Sequence, residues 1–217
     1  MLNKKLFFLR KTGLLGQFLI IALLSSFVLS GCATRPPNNV EDLCAIFWHD
    51  TDWYEYALDS SERWQVPIHV LMAIMHQESR FRAKARPERT RLLWIIPWTR
   101  PSSAYGYAQA IDEVWEEYQK ETGNWAGSRD VFEDAIDFVG WYVYRAHRVL
   151  GLSKWDARNQ YLAYHEGLGG FRRKTYQDKA WLVAVAKKVN LRAARFNQQL
   201  SLCKTALDDE VSGWWFF

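Results

Sequence analysis

The chain of 217 residues carries 28 Lys+Arg against 24 Asp+Glu, a formal net charge of +4, and an unusual 12 Trp. Four of the basic residues and none of the acidic ones fall in residues 1–31, which leaves 24 against 24 in the rest. That balance excludes the net basic surface nucleic-acid binding needs, and a body of about 186 residues suits one domain with a sizeable core.

At the N-terminal end Lys4, Lys5, Arg10 and Lys11 precede an apolar run from Leu14 to Leu29, closed by Leu29-Ser-Gly-Cys32. A basic segment, an apolar segment and small residues make a secretion signal. The ending resembles the lipobox of bacterial lipoproteins. The resemblance implies a signal peptide over 1–31, acylation of Cys32 and, with Ala33 rather than Asp next, sorting to the outer membrane facing the periplasm. An uncleaved anchor is the alternative, but 16 residues diluted by Ser25, Ser26 and Ser30 fall short of the roughly 20 that span a bilayer. Residues 32–39 read as a linker, 40–210 as the domain and 211–217 as an aromatic tail that could touch the core, lipid or an envelope protein. Cys44 and Cys203 remain; an exported compartment permits a bridge between them, favoured over two buried thiols.

Apolar spacing over Val40–Trp64 predicts one or two helices broken near Asp50-Thr-Asp52. Pro67 opens a helix apolar on all sides, hence buried. Residues 82–105, with three prolines and several arginines, predict a flap, whose Leu92–Trp98 run is too apolar for ordinary solvated loop. A helix over Asp112–Glu121 stops at Thr122-Gly-Asn124. Asp130 with Glu133 predicts a capped long helix ended by Gly151. Further helices are expected from about Lys154 to Tyr164 and from about Thr175 to Ala206, with a kink near Asn190. The fold class is mainly α, and a Trp-rich core is expected to hold most of the twelve indoles.

Three polar segments stand out: His76-Gln-Glu-Ser-Arg80, Ser102-Ser-Ala-Tyr-Gly-Tyr-Ala-Gln109 and Ala163-Tyr-His-Glu-Gly167. In this order they resemble the soluble-type (SLT) lytic transglycosylases of the lysozyme-like superfamily, which includes goose-type lysozyme. The matching elements are Glu78-Ser79, Gly106-Tyr-Ala-Gln109 and Ala163-Tyr-His-Glu-Gly167, over roughly Val66–Asn190. The resemblance implies a lysozyme-like helical domain with a substrate cleft, which cleaves the β-1,4 bond between N-acetylmuramic acid and N-acetylglucosamine of peptidoglycan. It makes Glu78 the single catalytic acid/base and the muramyl C6 hydroxyl the attacking group, giving a 1,6-anhydro product. Gln109 would hold substrate, Tyr164 would orient Glu78, Gly106 would allow close backbone approach and Ser79 would support the helix end.

The chemistry explains the apolar run before Glu78. A carboxyl near its usual pKa of about 4.3 is mostly ionised at neutral pH, and desolvation raises it so that the acid keeps a proton. Departures from the family pattern are Tyr107-Ala108 for Leu-Met, Ile111 for a substrate-contacting Met, Arg100 near a family Ser with Ser102 or Ser103 as substitutes, and His165-Glu166 for Asn-Ala. Glu166 is expected to face solvent; as a second carboxylate in the cleft it would instead restore a hydrolytic, lysozyme-type mechanism. A non-catalytic glycan-binding lipoprotein is a further alternative. No metal-ligand spacing and no partnered nucleophilic serine occur, so neither metal nor cofactor is expected.

Overall fold

In the computed structural model, residues 35–88, 91–92, 96–97 and 102–213 are described. The leader over 1–31, Cys32, most of the Leu92–Trp98 run, Arg100 and residues 214–217 lie outside the described residues or have only their backbone placed. The described residues all belong to one unit, Arg35–Phe217.

Two helices, α1 (Leu43–His49) and α2 (Asp52–Trp64), part at Asp50-Thr51, where the polar interruption was expected. Asp42 caps α1 by accepting the Cys44 and Ala45 N–H groups. Pro67, extended and unable to donate, precedes α3 (Ile68–Ser79). Ten of the twelve residues of α3 are buried, and the two left over are Gln77 and Glu78. This helix touches α2 and the three later long helices, so it is the axis around which the domain is packed.

The flap region contributes a short antiparallel ladder, β1 (Arg91–Leu92) with β2 (Ile96–Pro97), pairing Arg91 with Pro97 and Leu92 with Ile96. Next come α4 (Asp112–Thr122), turned off at left-handed Gly123, and α5 (Phe132–Leu150), turned off at left-handed Gly151. Asp130 is not the cap of α5, which has Val131 at that position. The Asp130 carboxylate is drawn away, accepting from the Ser128 and Tyr105 hydroxyls at 2.5 and 2.8 Å. Capped by Asp156, α6 (Ala157–Arg172) runs past its expected end at Tyr164, with one non-helical residue, Gly167. After a 3₁₀ turn (Thr175–Asp178), α7 (Ala180–Gly213) continues unbroken through Asn190. It takes in residues 211–213, the first part of the expected tail.

Cys44 of α1 and Cys203 of α7 form a disulfide with Cα atoms 6.0 Å apart, bridging a sequence separation of 159. A bridge over so long a loop contributes about 3–5 kcal/mol by restricting the unfolded chain.

The described indoles divide between core and surface, with Trp64 partly buried against the core. Among the described residues Trp53, Trp115 and Trp141 are buried, whereas Trp48, Trp125, Trp155 and Trp181 are exposed. Ring packing in the core is shared with Phe and Tyr: Trp53 stacks on Phe132 at 4.1 Å, and Tyr107 meets both edge-on.

Candidate active site

Glu78 lies in the last turn of α3, which ends sharply. Arg80 takes the left-handed conformation and returns its N–H to the His76 carbonyl at 2.9 Å. Phe81 is also left-handed, at φ 60°, and its ring is fully buried. Backbone held in this region by non-glycine residues costs free energy and persists only where packing enforces it. Across the site Gln109 is left-handed too, at φ 49°.

The turn is also held from behind. His76 is buried, with Nε2 3.0 Å from the Glu41 carboxylate, and around that carboxylate gather Arg192, Arg195 and Arg80. Desolvation, reinforced by the nearby Arg192 charge, holds His76 well below the usual histidine pKa. The imidazole is therefore a neutral strut.

The Glu78 carboxyl opens into a cleft of about 500 Å³. Burial pushes its pKa up to about 7, against a single opposing influence, a hydrogen bond donated by the Tyr161 hydroxyl of α6. Near neutral pH the group is thus divided between acid and carboxylate, the condition a residue needs to give a proton and take one back.

One wall of the cleft is the segment from Ser102 to Val114; the opposite wall comes from α5, through Phe138 and Tyr142, and from α6, through Tyr164 to Gly167. Gly106 fixes the first wall. It has φ +81°, and a Cβ there would lie 1.9 Å from the Arg129 carbonyl oxygen, so the close approach glycine permits is to the chain's own backbone. Gln109 spends its side-chain N–H groups on the Ala85 and Gly106 carbonyls, at 2.9 and 2.8 Å, which leaves its carbonyl oxygen as the polar group for the cleft. Ser102 and Ile111 also line the cleft. Ser103 does not; its hydroxyl accepts the Asp112 N–H at the start of α4.

Ser79 is buried and its hydroxyl donates to the Met75 carbonyl, which fits its expected place at the helix end and keeps it out of the cleft. Tyr107 is 1% exposed between Trp53 and Phe132, a core residue because its backbone is pinned to Arg129. Tyr164 does line the cleft, but its hydroxyl donates to the Ala108 carbonyl at 2.6 Å. The tyrosine bonded to Glu78 is Tyr161, one helical turn earlier. An i, i+3 spacing places both on one face of α6, and that was the available signal for Tyr161.

Glu166 does not face solvent. Its side chain is 3% exposed, with Oε1 2.7 Å from Lys179 Nζ and 3.1 Å from His165 Nδ1, and Oε2 accepting from the Thr175 hydroxyl. Desolvation alone would raise its pKa, but the hydrogen bonds from Lys179, Thr175 and His165 outweigh it and hold the group at about 2. His165 itself lies half-exposed on the cleft wall.

A family model for the transglycosylase SLT domain matches residues 20–203. The chain belongs to this family. No curated protein and no solved structure matches it. The SLT domain assignment accords with the mainly helical architecture, and the match runs through all three polar segments. Peptidoglycan glycan strands are the substrate class that goes with the SLT domain.

Proposed function

We propose that this chain is a peptidoglycan lytic transglycosylase that cleaves the MurNAc-β-1,4-GlcNAc bond and leaves a 1,6-anhydro-MurNAc end. The observation that carries the reading is the pairing of one proton-holding carboxyl, Glu78 at about 7, with a second carboxylate, Glu166, whose oxygens are taken. Protonated Glu78 gives its proton to the glycosidic oxygen as the bond from that oxygen to the muramyl C1 breaks. Ionised Glu78, stabilised by the Tyr161 hydroxyl, then takes the proton of the muramyl C6 hydroxyl as that oxygen bonds C1. The proton count closes on Glu78 and no water is consumed.

Hydrolysis would need a carboxylate free to act as nucleophile or as base for water. Glu166 borders the cleft, but bonds to Lys179, Thr175 and His165 disfavour that role. Gln109 and the cleft face of Tyr164 position the glycan. The leader and Cys32 support attachment by lipid at the outer membrane, with the domain in the periplasm.

The test is digestion of intact sacculi followed by mass spectrometry. Wild-type protein should release 1,6-anhydro-muropeptides and Glu78→Gln should release none. Reducing-end products would move the assignment to a hydrolase, and equal inertness of both proteins would overturn the enzyme reading.

A further inference from the structure

Of the four exposed indoles among the described residues, Trp181 is the one in ring contact with a cleft residue. It stands in the first turn of α7, 57% exposed, with its ring centroid 5.3 Å from that of His165 and the planes crossing at 77°. The exposed part of the indole offers an apolar face beside the cleft wall on which a flat partner can stack.

The corner formed by the two rings is built on fixed supports. Glu166 binds His165 Nδ1 on one side and Lys179, two residues before Trp181, on the other. Thr175 closes the same carboxylate from the turn that leads into α7. One buried anion therefore ties the end of the cleft wall to the segment that presents Trp181. Because Nδ1 faces Glu166, Nε2 is the ring nitrogen left to meet a ligand. An open aromatic face beside a fixed polar nitrogen suits a pyranose ring, which offers an apolar C–H face and hydroxyls at its rim.

We propose that Trp181 and His165 form an additional sugar subsite at the α6–α7 edge, which extends the cleft by one residue of the glycan strand. The subsite rests on the glycan-strand reading above. Glu166 acts in it as a positioning residue.

The experiment uses the full chain in detergent, in the Glu78→Gln background so that the ligand is not cut, titrated calorimetrically with GlcNAc oligomers of different length. Trp181→Ala should weaken the hexamer about tenfold, the effect of losing one stacked ring, while leaving the dimer within about twofold. Trp181→Phe should recover most of the loss, and Lys179→Met should weaken the hexamer in the same direction by less. Equal loss for both lengths, no loss for either, or no hexamer binding with Trp181 intact overturns the subsite. Product analysis of the wild-type protein is separate. If no anhydro products form but the length-dependent loss persists, the catalytic reading fails and the subsite stands.

Discussion

The two carboxylates on the cleft, Glu78 and Glu166, are the same side chain in two solvents. Around Glu78 the end of α3 supplies apolar walls and one hydroxyl, and burial dominates, raising the pKa to about 7. Around Glu166 the break in α6 supplies an ammonium, a hydroxyl and an imidazole, and these outweigh the burial, lowering it to about 2. Exposure therefore does not separate a carboxyl that holds its proton from one that stays ionised. The number of donors facing the charge does.

Each difference can be broken experimentally. Replacing Glu78 by Gln removes the proton carrier of the proposed mechanism and should lower the release of soluble muropeptides from sacculi at least about a thousandfold, to below detection. Replacing Glu166 by Gln should leave the anhydro product unchanged but cost about 1 kcal/mol in denaturant unfolding at pH 7, since the Lys179, Thr175 and His165 donors lose a charged acceptor while the half-exposed Lys179 regains water. That penalty belongs to a group with a depressed pKa: it is full above about 4.5 and should fade as pH drops toward 2.

Glu78 carries the opposite sign. Its folded pKa is raised, so its contribution to stability is present below about 4.5 and is lost as pH rises through 7. Unfolding curves of wild type and Glu78→Gln should therefore diverge in favour of the variant between pH 5 and pH 8. Activity of the wild type should fall over the same alkaline limb as the proton is lost. The smallest effect is expected from Tyr161→Phe. Removing the donor that favours ionised Glu78 should shift the alkaline limb upward and slow turnover severalfold, about 1 kcal/mol. Tyr164→Phe, whose hydroxyl serves Ala108, should leave the limb in place.

How much of this could be read from the chain follows from which forces are local. The buried helix ending at Glu78 was legible because an unbroken apolar run has no other stable place, and the stops at Gly123 and Gly151 because left-handed caps select glycine. Asp130 misled because its carboxylate had competing partners, Ser128 beside it and Tyr105 distant in sequence. The motif gives the position of Tyr107 but not its burial, which comes from Trp53 and Phe132, 54 residues upstream and 25 downstream. The fate of Glu166 turned on Thr175 and Lys179, whose arrival depends on Gly167 breaking α6. Pairwise contacts made after a chain reversal leave little trace in composition or period.

The bond between Cys44 and Cys203 has a consequence for force. Glu78, Gln109, Tyr164 and Trp181 all lie within the loop that the bridge closes covalently. A load applied between the two ends of the polypeptide passes from Cys44 across the bridge to Cys203 and leaves the loop unstretched. In a single-molecule pulling record, the oxidised domain should lengthen only by the chain outside residues 44–203. After reduction the same pull should reach the cleft and extend it.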